Sequence, residues 1–94
     1  MPSMHLLPDE ARADLADRLR RIEGQVKGVN RMMEEGRDCT DVITQLAAIK
    51  AAVNSVSGEL IEAYAIRCIR HPEDFPSPEL AVEHAVKALV RSNR

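Results

Sequence analysis

The run Cys39-Thr40-Asp41-Val42-Ile43-Thr44-Gln45-Leu46-Ala47-Ala48-Ile49-Lys50-Ala51-Ala52-Val53-Asn54-Ser55-Val56-Ser57-Gly58-Glu59-Leu60 decides the fold. Cys39, Val42, Leu46, Ile49, Val53, Val56 and Leu60 alternate steps of three and four, the heptad seam of a packed amphipathic helix. Ala47, Ala48, Ala51, Ala52, Ser55, Ser57 and Gly58 flank its middle and would let another helix approach closely. The helix is predicted to span about 39–70, because His71 precedes Pro72 and a residue before proline is pushed out of helical space.

Upstream, Leu15, Leu19, Ile22, Val26, Val29 and Met33 form one apolar stripe of a first helix, about 9–36. Asp9 and Glu10 supply acids to its first turn after Pro8, and Gly36 is its expected stop. Asp38 or Thr40 is placed to cap the second helix. Downstream, residues 71–78 carry three prolines and read as a linker. Leu80, Ala81, Val82, Ala85, Val86, Leu89 and Val90 then mark a third helix, about 79–92. The apolar set is Leu, Ile, Val, Ala and Met, with one Phe, one Tyr and no Trp, which suits helices rather than strands. The expectation is a single all-α domain, 1–94, with three helices per protomer. So small a hairpin leaves an apolar stripe wet, so self-association is expected to cover it.

The segment Met1–Glu10 has neither the basic nor the apolar region of a secretory signal, and no apolar run is long enough for a bilayer. A cytoplasmic protein without a membrane partner is therefore expected, with its two cysteines kept as thiols. Such a pair reads as ligands or reactive groups rather than a staple. Cys39 and Cys68 lie 29 residues apart, roughly 43 Å along one helix at 1.5 Å per residue. They cannot share a metal or a disulfide within that helix. In two copies crossed antiparallel near Val53 and Asn54, each Cys39 lies beside the partner subunit's Cys68, giving two equivalent two-thiol sites. The plainer alternative makes both cysteines small buried apolar residues.

Tyr64 precedes Cys68 by four residues and shares its face, as a neighbour of the site rather than a ligand. His5, His71 and His84 have no ligand spacing with each other and are read as surface residues, with His5 and His84 as the two that the fold could bring to a site. No nucleophile–base pair, phosphate-binding glycine loop or Cys-x-x-Cys motif is present, so an enzyme, including a dithiol oxidoreductase, is not expected.

The net charge is −2, yet residues 18–37 hold six basic side chains against three acidic ones. A nucleic-acid binder needs a basic patch, not a basic protein; a solvated helix face is the bland alternative. Arg20, Lys27 and Arg31 lie on nearly the same face as Gly24, which with Gly28 forms Gly-x-x-x-Gly. Two mid-helix glycines cost about 1 kcal/mol each relative to alanine, so something is expected to approach that backbone closely, another helix or a DNA backbone.

Taken together, Arg20-Arg21-Ile22-Glu23-Gly24-Gln25-Val26-Lys27-Gly28, Met32-Met33-Glu34-Glu35-Gly36-Arg37-Asp38-Cys39 and Asp41-Val42-Ile43-Thr44-Gln45-Leu46-Ala47-Ala48-Ile49-Lys50 resemble the copper-sensing repressor family (CsoR/RcnR/FrmR) from about Leu15 to Cys68. The resemblance implies an antiparallel helical dimer that pairs into a disc-shaped homotetramer, which binds operator DNA without ligand and releases it on ligand binding. It implies Arg18, Arg21 and Lys50 as DNA contacts, joined by Arg20, Lys27 and Arg31 of the patch. Copper members carry Cys, His and Cys, with the His four residues before the second Cys; here Cys39 and Cys68 match, and Tyr64 stands at the His position. Asp38 stands where copper members often place a tyrosine. The pattern without His is similar to the family's persulfide-sensing, CstR-like branch. Arg37, Arg67 and Arg70 nearby would favour reactive thiolates there. A persulfide- or polysulfide-responsive repressor needing no cofactor is thus the expected function. The alternatives are a Cu(I) sensor using the same two cysteines, and a helical oligomerisation module that binds no DNA.

Overall fold

The computed structural model describes residues 3–92. A 3₁₀ turn at Met4–Leu6 leads into helix α1 (Asp9–Glu34); α2 (Cys39–Arg70) follows, then a second 3₁₀ turn at Pro72–Asp74 and helix α3 (Pro78–Ser92). The described residues contain no strand, so the all-α reading holds.

α1 and α2 form an antiparallel hairpin. Its turn is closed by Gly36, whose φ of 69° suits a residue without a Cβ. The Arg37 amide donates to the Met32 carbonyl at 3.0 Å and the Gly36 amide to that of Met33 at 3.2 Å, the paired bonds of a Schellman stop. The helix itself ends at Glu34, two residues before the expected boundary. Asp38 then caps α2, accepting the Thr40 amide at 2.8 Å and also its hydroxyl. These bonds hold the Asp38 carboxyl below its ordinary value, the side-chain bond foremost.

The two apolar stripes are each divided by the hairpin. Leu15, Ile22 and Val29 of α1 are buried, facing α2, where Val42, Ile49 and Val56 are half-buried. Leu19, Val26 and Met33 lie four residues further on along α1, as do Leu46 and Val53 along α2, and all five stay between 42% and 62% exposed. Because the helices run in opposite directions, an advance of four residues turns both side-chain sets toward the same side of the hairpin. One flank of the protomer is therefore a continuous open apolar face.

The linker region is more ordered than the sequence suggested. Pro72–Asp74 forms a 3₁₀ turn, and α3 starts at Pro78 rather than after it. Ser77 is the cap: its hydroxyl accepts the Leu80 amide at 3.2 Å and its carbonyl accepts that of Ala81 at 3.2 Å. A proline in the first helical turn loses no hydrogen bond, which is why it starts α3 as readily as it ends a strand of sequence. α3 folds back on the C-terminal half of α2, where Ala81 and Ala85 meet Ala65, Cys68 and Phe75 in the buried core.

The protomer measures 56 × 27 × 15 Å, with a radius of gyration of 17.3 Å. A compact chain of this length has about 12 Å. Its accessible surface of 6990 Å² exceeds by roughly 1600 Å² that of an ordinary folded monomer of the same mass.

Candidate sensor thiols and nucleic-acid face

Cys39 and Cys68 occupy the two ends of α2 in opposite environments. Cys39 opens the helix and is exposed, whereas Cys68 has no accessible surface. The small side chains of Ala65, Ala81 and Ala85, with the Phe75 ring, close around Cys68. Tyr64 packs against this cluster. Burial first, then the neighbouring Cys68, pushes its phenol above the ordinary value of 10. At neutral pH Tyr64 is therefore an uncharged hydroxyl, a poor donor to a soft metal.

Arg67, expected to lend positive charge to the thiols, is committed elsewhere. Its Nε donates to Asp74 Oδ2 at 2.8 Å, and both side chains are largely shielded. The bond raises the guanidinium's value and lowers that of the Asp74 carboxyl. The pair pins the Pro72–Asp74 turn beside the buried thiol. A half-open apolar cavity of about 300 Å³ lies on the same end of α2, lined by Leu6, Leu7, Leu60, Ile61, Tyr64 and Ala88 among others. Leu7, buried by the Met4–Leu6 turn, helps to form it.

The histidines do not converge on the thiols. His5 Nδ1 accepts from the Arg12 guanidinium at 3.1 Å, His71 pairs with Glu73 at 2.8 Å, and the His84 ring lies 5.0 Å from that of Phe75. Among the described residues, no three His, Cys, Asp or Glu side chains of one chain gather as metal ligands. Within one protomer Cys39 and Cys68, at opposite ends of α2, do not come together as ligands of one ion.

The basic residues divide between different sides of the hairpin. Arg18 and Arg21 line a groove with Gln25, Ala52 and Ser55. Arg20 pairs with Asp17, and Lys27 with Glu23 at 3.3 Å, both within α1. Arg20, Lys27 and Arg31 lie two residues from Ile22 or Val29 and so point away from α2. Lys50 precedes Ala52 by two residues and follows Leu46 by four, placing it on the open apolar flank, opposite the groove. One protomer therefore brings Arg18 and Arg21 together but not Lys50. A Cβ added at Gly24 or Gly28 would meet nothing within 4 Å, so no helix of the same chain is the close neighbour that the glycines implied. Sequence reasoning missed Glu59 and Ser55, which hold Arg18 across the hairpin; nothing in their spacing signals a partner 37 or more residues away.

Residues 11–91 match the family model described as metal-sensitive transcriptional repressor. The chain is 38% identical over 78 residues to the copper-sensing transcriptional repressor RicR of Mycobacterium tuberculosis, covering 81% of each. It is similar in structure to the copper-sensing repressor CsoR with Cu(I) from Geobacillus thermodenitrificans, with a TM-score of 0.77, 31% identity and coverage of 100% of this chain and 94% of that one. The nickel-responsive transcriptional regulator InrS gives a TM-score of 0.73 at 31% identity, covering 85% and 90%. No described helix is long and apolar enough to cross a membrane.

Proposed function

The chain belongs to the metal-sensitive transcriptional repressors, and from that premise we propose that it binds operator DNA as a homo-oligomer and releases it when Cys39 and the partner subunit's Cys68 react with a persulfide or polysulfide. Like its relatives it is a regulator and not an enzyme. It acts in the cytoplasm, where operator DNA is.

The observation that carries this reading is the pair of thiols at the two ends of one unbroken helix, whose middle is exposed at Leu46 and Val53. An antiparallel crossing there covers the open apolar flank and joins each exposed Cys39 to a buried Cys68. The surplus surface supports such contacts: an interface of standard size takes about 800 Å² per partner, so roughly 1600 Å² serves two of them. Val82, Val86 and Val90, exposed at four-residue steps along α3, suit the second, as a tetramer requires.

The chemistry balances with the persulfide as the two-electron oxidant. The Cys39 thiolate takes the sulfane sulfur of a persulfide and expels a thiolate. The partner subunit's Cys68 then attacks the inner sulfur, forming an interchain disulfide and releasing hydrosulfide. The uncharged Tyr64 hydroxyl, in place of an imidazole, is what favours sulfur over copper. Cu(I) is the second reading, favoured by the copper-sensing relatives; two thiolates can hold it linearly, with Cys39 and Cys68 as the ligands.

Fluorescence anisotropy on the promoter fragment, run anaerobically, separates them. Polysulfide is expected to release the DNA and a thiol reductant to restore binding. Release by one equivalent of Cu(I), with no response to polysulfide, establishes the copper reading instead. A helical module without a DNA partner would show no binding whose strength falls steeply with salt.

A further inference from the structure

We propose that Asp14 and Glu59 compete internally with DNA phosphate for Arg18, so that this carboxylate pair sets operator affinity. The inference rests on the repressor reading and adds how its DNA face is regulated.

Arg18 is the basic residue of the groove that is tied to both helices. Its Nε donates to Asp14 Oδ2 at 3.1 Å, its Nη2 to Glu59 Oε1 at 2.9 Å and its Nη1 to Ser55 Oγ at 3.4 Å. A guanidinium grips phosphate through two adjacent nitrogens. Each such edge contains Nη2, which Glu59 holds, together with a nitrogen held by Asp14 or Ser55. A phosphate must therefore displace at least one carboxylate. The site as built carries one positive charge against two negative ones, although it lies on the basic stretch of α1.

The other pairs differ in kind. Arg20 with Asp17 and Lys27 with Glu23 are formed within α1 and need no second element. Among the described residues Arg21, Arg31 and Lys50 have no carboxylate within 4 Å. Arg18 alone of these six is bridged to α2, and Glu59 sits nine residues from Cys68 on that same rigid helix. A slide of α2 against α1 of 1–2 Å, the usual scale of helix shifts, tightens or breaks the Glu59 contact. Closure of the thiol pair thereby reaches the DNA face through one side chain.

The test measures operator affinity by anisotropy for the full-length protein and Glu59→Gln, Asp14→Asn/Glu59→Gln, Glu62→Gln, Arg18→Ala and Arg18→Ala/Glu59→Gln, with thermal unfolding of each. Glu62→Gln makes the same charge change on exposed α2 surface without touching Arg18. Exposed ion pairs are weak, so Glu59→Gln is expected to tighten binding roughly three-fold and the double change roughly ten-fold. Glu62→Gln should change it by less than about 1.5-fold. Without Arg18, the gain from Glu59→Gln should shrink to that of Glu62→Gln. Equal gains at Glu59 and Glu62, or a gain that survives loss of Arg18, overturn the rivalry. So does a lowered melting temperature without tighter binding, which would make the bridge a structural strut. Failure of the well-folded wild type to bind the fragment at any salt concentration overturns the repressor reading itself.

Discussion

With Cys39 replaced by serine, the protein is expected to remain on its operator when polysulfide is added. The substitution removes the exposed thiol; Cys68 is closed to solvent within its own protomer and enters the proposed reaction only by exchange with a persulfide already carried on the partner's Cys39. Couplings of this kind are worth about 1–3 kcal/mol, so wild-type affinity should fall roughly 5- to 150-fold on induction and that of Cys39→Ser hardly at all. DNA binding without inducer should be unchanged, since Cys39 opens α2 whereas the groove of Arg18 and Arg21 meets that helix near its middle, at Ala52, Ser55 and Val56. Retained induction in Cys39→Ser would remove the thiol mechanism. Non-reducing electrophoresis supplies the direct readout: a crosslinked dimer in the induced wild type, none in the variant.

The second large effect is expected at the centre of the open flank. Val53 is 42% exposed in the protomer, so Val53→Glu should leave the hairpin folded. In a two-fold assembly crossing at this residue, the two introduced carboxylates would face one another in a desolvated contact. An uncompensated buried charge costs about 3–5 kcal/mol, enough to weaken association at least about a hundred-fold. Sedimentation should then report a monomer with intact helix content by circular dichroism, and operator binding should be lost with the oligomer. An unchanged sedimentation coefficient would place the dimer contact on another face.

Much of this was legible in the residues, for identifiable reasons. The bounds of α2 follow from local chemistry, an Asp38 cap and the His71–Pro72 break, and both fall where the pattern puts them. The division of each apolar stripe into covered and open halves did not follow. Leu15 and Leu19 are the same residue type, and periodicity shows a stripe without saying which neighbour meets which half. The Met4–Leu6 turn is too short to leave a period. The sequence puts Pro78 in the 71–78 linker, because Ser77 as a cap becomes apparent only when its hydroxyl is seen on the Leu80 amide. At the site, the cysteine spacing was informative because one rigid element fixes the distance. The Arg18–Glu59 bridge was not, since it joins positions whose separation depends on how two helices pack. Lys50 illustrates the same limit: in one protomer it lies across the hairpin from the arginines with which the family resemblance groups it.

Placing one thiol at each end of α2 also has a consequence for genetics. A subunit lacking Cys39 keeps a usable Cys68, and a subunit lacking Cys68 keeps a usable Cys39. Paired together they form one dead end and one intact end. Two alleles, each unresponsive alone, should therefore complement when expressed in the same cell, recovering inducibility in the mixed dimers. A pocket confined to one polypeptide could never give that outcome, so a simple cross between two silent mutants reports whether sensing is shared between chains.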